Sequence, residues 1–264
     1  MWKQFPPSAQ PIVWLCVFGL LLGIGCANST RRAEEALRLR QADSHFDIGL
    51  DHISNNRVAL GLRELLRAES FNPQSPRIQH ALADTYLIRR KPVKAEQHYL
   101  RSLEIEPTYH EARLNLSDLY YQLDRYEESL IQTSILVDDA TFSHPWRALA
   151  KKGLVEYRLG EFEEARRTLE LGLEYRNNYW PALLYLGILE VEEGRRLEAL
   201  VLFRQVLEQE PVLVVQAQAN YRIGEIYIAL GERKKAISHL RAAVAQTPGD
   251  SWGAKSEETL NLLR

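Results

Sequence analysis

Six small residues recur along this chain at nearly constant spacing. Gly49, Ala83, Ser117, Gly153, Gly187 and Gly224 are separated by 34, 34, 36, 34 and 37 positions, and each is followed twelve places later by another small residue. The partners are Gly61, Ala95, Ser129, Ala165, Ala199 and Ala236. Each member of a pair sits in apolar periodicity of helical type. Two small residues on either side of a turn let two antiparallel helices approach closely, so the pattern describes six stacked helix pairs, each burying its neighbour's apolar face. The segments close at Pro73, Pro107, Pro211 and Pro248, with Thr141 and Asn177 at the corresponding places of the third and fourth segments. Proline cannot continue a helix, and inside one it costs about 3 kcal/mol. Pro92 therefore tests the register, and it falls at an inter-helix turn, where an early helical proline is tolerated.

This is the tetratricopeptide pattern. The expected fold is all-α, a right-handed superhelical solenoid of six tetratricopeptide repeats with a C-terminal capping helix. The repeats span 42–250 and start near 42, 76, 110, 146, 180 and 217. "YRIGEIYIALGERKKAISHLRAAVAQTP" and "LYLGILEVEEGRRLEALVLFRQVLEQEP" match closely, and "HFDIGLDHISNNRVALGLRELLRAESFNP" is looser. Residues 251–264 form the expected cap, with Leu260, Leu262 and Leu263 available to cover the last repeat.

Composition narrows the function. The 33 basic and 35 acidic residues leave a net charge of −2, which gives no sequence-wide electrostatic reason to bind nucleic acid. The seven histidines are scattered, and no Cys/His spacing suits zinc. No glycine-rich phosphate loop, nucleophile elbow or paired-histidine motif is visible, so neither an enzyme nor a small-molecule substrate or cofactor is expected.

Both cysteines, Cys16 and Cys26, lie near the amino terminus. Lys3 precedes the uncharged run "PIVWLCVFGLLLGIG", whose fifteen residues are short for a spanning helix of about 20 and suit the core of a secretory signal. Gly23 and Gly25 supply small residues at its end. With Cys26 following at once, the segment resembles a bacterial lipobox, Leu22 standing one step further from the cysteine than usual. The resemblance implies a lipoprotein signal peptide over 1–25, a diacylglyceryl group and a further acyl chain on Cys26, and a lipidated tether and leading helix over 26–41. Several acyl chains, at about 0.8 kcal/mol per buried methylene, hold a bilayer far better than one. Ala27 in place of Asp after Cys26 implies outer-membrane delivery by the enterobacterial sorting rule. An ordinary secretory signal and a short uncleaved anchor are the alternatives.

In this repeat the first helix of each pair lines the concave face. Its inward places are Phe46, Leu50, Ile53, His80, Asp84, Leu87, Ile88, Leu114, Asp118 and Tyr121 in the first three repeats. In the last three they are Leu154, Tyr157, Leu184, Ile188, Val191, Tyr221, Glu225 and Ile228. Clamps of this class that capture a peptide carboxylate carry Lys and Asn at several such places. Here the places are mostly apolar, so the expected site is a hydrophobic groove, edged by a few carboxylates, for a helix or extended segment of a protein partner. Packing within the superhelix is the alternative for each residue, and it is favoured for Tyr86, Tyr120 and Tyr227. The basic cluster Arg89, Arg90, Lys91 and Lys94 reads as a solvated edge.

The 36-residue spacing places extra length around Asp138 to Pro145. An acidic pair, a short loop and a proline there lead into a repeat with the turn Gly160, Phe162 and Ala165. This stretch, with the lipobox and six repeats, resembles the pilotin lipoproteins of type IV pili. The resemblance implies a lipid-anchored periplasmic scaffold on the outer membrane that helps secretin subunits localise and form multimers. An adaptor for peptidoglycan hydrolases or another envelope complex is the alternative, and an enzyme subunit completed by a partner is a third.

Overall fold

The computed structural model describes the backbone of residues 10–263 and the side chains of residues 30–263. The apolar run 11–25 and the Cys26 side chain lie outside the described side chains. Among the described residues no helix is long and apolar enough to cross a membrane.

Thirteen helices and no strand occur among the described residues. They are α1 (Gln10–Ser54), α2 (Val58–Phe71), α3 (Pro76–Ile88), α4 (Pro92–Ile105), α5 (His110–Gln122), α6 (Tyr126–Asp138) and α7 (Pro145–Leu159). The order continues with α8 (Phe162–Tyr175), α9 (Trp180–Glu192), α10 (Arg196–Glu208), α11 (Leu213–Ala229), α12 (Arg233–Gln246) and α13 (Ser251–Leu262). Consecutive helices pack as antiparallel pairs of the tetratricopeptide type. Pro76, Pro92 and Pro145 each open a helix, where the missing N–H is no loss. The helices form two compact units, Met1–Ala112 and Arg113–Arg264.

The small residues act where the two helices of a pair meet. A Cβ on Gly61 would lie 2.9 Å from the Gly49 carbonyl, one on Gly153 would lie 2.6 Å from Leu169 Cγ, and one on Gly187 would lie 2.8 Å from the Phe203 ring. Ala83, Ala95, Ala165, Ala199 and Ala236 have no exposed surface.

Each pair is joined by one turn geometry. The residue seven places after the first small residue is left-handed in all six: Asn56, Arg90, Asp124, Gly160, Gly194 and Gly231, with φ from +55° to +81°. The next residue's N–H then bonds five residues back, as in Arg57 to His52 O (2.7 Å), Lys91 to Tyr86 O (2.9 Å) and Glu232 to Tyr227 O (2.9 Å). That bond satisfies a carbonyl the helix end would otherwise strand. Half of these turns use a residue with a side chain. Arg90, within the basic cluster, is the one without the short polar group that eases this conformation.

In the amino-terminal unit Leu65, Ile78, Leu82 and Tyr99 are fully buried. Two of its histidines are paired: His45 Nδ1 lies 2.9 Å from Glu64, and His98 Nδ1 lies 2.7 Å from Gln79 while its ring stacks on Tyr86. In the carboxy-terminal unit Phe203 centres a core with Leu184, Ile188, Val206 and Ile223. His239 repeats the His98 arrangement, 2.8 Å from Asn220 and stacked on Tyr227. Tyr86, Tyr120 and Tyr227 are all buried.

Between α6 and α7, Asp139 accepts from the Thr141 N–H (2.8 Å) and hydroxyl (2.6 Å). This turn delivers Phe142 into a core with Leu114, Leu136 and Ala148. The extra residues thus carry a side chain inward. At the other end, α13 packs on α11 and α12, but its apolar residues divide differently from the expectation. Leu262 is 83% exposed, because buried Gly253 and Ser256 form the face turned to the unit and Trp252 flanks it. Leu260 and Leu263 line a shallow recess beside Ile237.

Candidate interaction groove

The inner faces of α5, α7, α9 and α11, with Trp252 of α13, line two adjoining cavities within the carboxy-terminal unit. The first, of about 290 Å³, is bounded by Leu114, Asp118, Lys151, Leu154, Tyr179, Trp180 and Tyr185. The second, of about 320 Å³, is bounded by Tyr121, Leu154, Tyr157, Arg158, Tyr185, Ile188, Arg222 and Trp252. Leu154 and Tyr185 belong to both. Helical spacing puts these side chains in rows: Leu114, Asp118 and Tyr121 on α5, and Lys151, Leu154 and Arg158 on α7.

The cations are held by aromatic rings. Arg158 Nε donates to the Tyr121 hydroxyl (2.8 Å), and its guanidinium lies 5.5 Å from that ring. Arg222 stands 5.7 Å from the Trp252 ring, and Lys255 stands 4.6 Å from it on the same residue's approach. Arg222 also pairs with Glu225 at 3.1 Å, while its Nε is buried without an acceptor. Lys151 contacts Asp118 in an ion pair, yet burial draws its ammonium down to about 8. Burial pushes the Tyr185 phenol up to about 12; Tyr121 adds to that shift and Arg158 opposes it. The Tyr157 phenol is raised by burial and by Glu192, to which it donates at 3.4 Å.

The residues expected to line a groove fall in both units. In the amino-terminal unit Phe46 is buried beneath the Arg77 guanidinium, 4.2 Å from its ring centre. His80 sits 3.6 Å from Asp84 and against the rings of Tyr99 and Tyr109. Asp84 also accepts from the Tyr99 hydroxyl. Leu50 is exposed, and Ile53 and Leu87 are half-buried. In the carboxy-terminal unit Leu114 is buried, and Asp118 and Tyr121 are half-buried on the cavity walls. Of the inward places read from the last three repeats, Leu154, Tyr157 and Ile188 line the second cavity.

Lys151, Arg158, Arg222 and Trp252 were not expected there. Lys151 and Arg158 lie three residues before and four after Leu154, which puts them on its face. Arg222 directly follows Tyr221. The signal was present, but long side chains from flanking positions reach a concavity that a fixed offset assigns to apolar residues alone.

Two comparisons with known proteins bear on the fold. A tetratricopeptide-repeat family model matches residues 190–255. The structure is similar to Pseudomonas aeruginosa PilF, with a TM-score of 0.71 and 18% identity over 84% of this chain and 99% of that one. The fold is that of tetratricopeptide repeats. It is similar also to PilW, described as a widely conserved type IV pilus biogenesis factor, with a TM-score of 0.70 and 21% identity over 81% of this chain and 97% of that one. A chain of the APC/C heterotetramer Cut9–Hcn1 reaches a TM-score of 0.69 at 16% identity, over 82% of this chain and 42% of its own. No curated protein sequence matches this chain.

Proposed function

We propose that this protein is a non-catalytic, lipid-anchored periplasmic scaffold that works as a type IV pilus pilotin. It captures an outer-membrane secretin and promotes its localisation and multimerisation. The observation that carries this reading is the fold similarity to PilF and PilW, which runs over 84% and 81% of this chain and 99% and 97% of theirs. The lipobox resemblance at Cys26 and the loop at Asp138 to Pro145 support it from the sequence.

The division of labour follows from physics. Acyl chains on Cys26 supply the membrane address on the periplasmic face of the outer membrane, and stacked helix pairs supply a surface for one partner. Affinity isolation from detergent-solubilised envelopes tests the reading. A secretin should co-purify with the full chain, and Cys26→Ala should remove the chain from the outer-membrane fraction and abolish fatty-acid labelling. Recovery of cell-wall hydrolases without secretin would contradict it.

A further inference from the structure

The two adjoining cavities differ in charge from the chain that contains them. The whole protein carries a net −2, but four cations line the cavities, Arg147, Lys151, Arg158 and Arg222, against one carboxylate, Asp118. Lys151 already contacts Asp118. The second cavity has two guanidiniums and no carboxylate in its lining.

We propose that this groove binds an extended, acidic and aromatic segment of a protein partner. Arg158 and Arg222 would receive its carboxylates, and the rings around them its apolar side chains. The inference rests on the reading of the chain as a protein-binding scaffold and adds the chemistry of the segment. Three observations lead to it.

The first is orientation. Tyr121 fixes Arg158 through a hydrogen bond to Nε, which leaves the two terminal nitrogens of the guanidinium as the fork that meets a carboxylate. The second is incomplete pairing. Arg222 has one terminal nitrogen on Glu225 and a buried Nε with no acceptor, so the local protein does not saturate it. The third is the wall. Tyr157 and Trp252 present aromatic surface beside the two guanidiniums, where a carboxylate would be partly shielded from water and its attraction strengthened. In an extended strand successive side chains alternate in direction, so an alternating peptide turns its acids together toward one wall of the groove and its rings toward the other.

The test uses the full chain in detergent and two fluorescent, capped twelve-residue peptides. One alternates Glu or Asp with Phe or Trp, and the other replaces every acid by its amide. Fluorescence anisotropy at physiological salt should show saturable binding of the acidic peptide at least tenfold tighter than its amide analogue. Arg158→Gln with Arg222→Gln should abolish that difference, and Arg158→Lys with Arg222→Lys should restore part of it. Arg167→Gln, at an exposed pair with Glu164, should change nothing. Melting curves verify that each variant is folded.

Equal binding of both peptides would overturn the inference and leave a protein-binding groove without acid selectivity. Failure of the wild-type chain to bind either peptide would also overturn it, while secretin co-purification would still judge the scaffold reading separately. Displacement of the acidic peptide by a single-stranded oligonucleotide at equal charge concentration would reassign the groove to polyanions in general and likewise reject a peptide site.

Discussion

The Ser129 hydroxyl donates to the Ser117 carbonyl across 2.8 Å, joining the second helix of a pair to the first at their small-residue positions. Gly, Ala and Ser meet the same steric demand in different pairs, and serine adds a bond. Space at these positions is therefore a requirement of the packing. Gly61→Ala should destabilise the fold by about 1–3 kcal/mol even though alanine favours a helix, because its Cβ would meet the Gly49 carbonyl and Ile53. Ala199→Leu should cost a similar amount. Chemical denaturation checks both, and wild-type midpoints would contradict the register.

Arg90 occupies a left-handed turn at φ +55° that the last three repeats give to glycine. Arg90→Gly should raise the melting temperature by relieving about 1 kcal/mol of backbone cost. Arg90→Val should lower it, since a β-branched residue is disfavoured more strongly there. The opposite order by differential scanning calorimetry would contradict the turn geometry.

Glu190 is 6% exposed and accepts from both Arg166 and Arg195, while Glu193 accepts from Arg166 at 2.8 Å. Glu190→Leu should leave two cations without their buried partner and cost about 3 kcal/mol. Glu193→Gln should cost less, because that side chain is closer to solvent. Denaturant midpoints for the two variants give the comparison.

Burial lowers the affinity of His98 and His239 for a proton, and Arg204 adds to the effect at His239. The folded state thus holds these rings neutral, while the unfolded chain protonates them near pH 6.5. Their contribution is complete above that pH and declines as pH falls below it. The melting temperature should drop from pH 7.5 to pH 5.5, and His98→Gln with His239→Gln should flatten the slope. At lower pH Glu64, held below the usual carboxylate range chiefly by its bond to His45, should add a further loss as it protonates. An unchanged slope in the double variant would contradict this assignment.

The helix pairs were legible because close packing leaves no freedom at positions such as Gly153 and Ala199. Burial of the tyrosines at 86, 120 and 227 followed from the same register. Arg90 was not legible as a left-handed residue, since its side chain carries no mark of that backbone state. Phe142 was hidden in a segment with no periodicity, although Asp139 and Thr141 form a recognisable turn around it. The groove was legible only in part. Tyr157 and Ile188 lie where the helical offset puts them, but Arg158 and Arg222 reach the same space by length and by anchorage on Tyr121 and Glu225. Their placement depends on tertiary neighbours that no local pattern encodes. At α13 Leu262 misled, because the packing contact uses Gly253 and Ser256, while Leu260 and Leu263 are half-buried beside Ile237.

The most direct test of the pilotin account is the state of the secretin in cells that lack this chain. Envelope fractions would be separated and probed for heat-resistant secretin multimers in wild type, deletion, and deletion complemented by wild-type chain or Cys26→Ala. The account predicts that multimers disappear from the outer-membrane fraction on deletion and return with the wild-type chain but not with Cys26→Ala. Normal outer-membrane multimers in the deletion strain would contradict it.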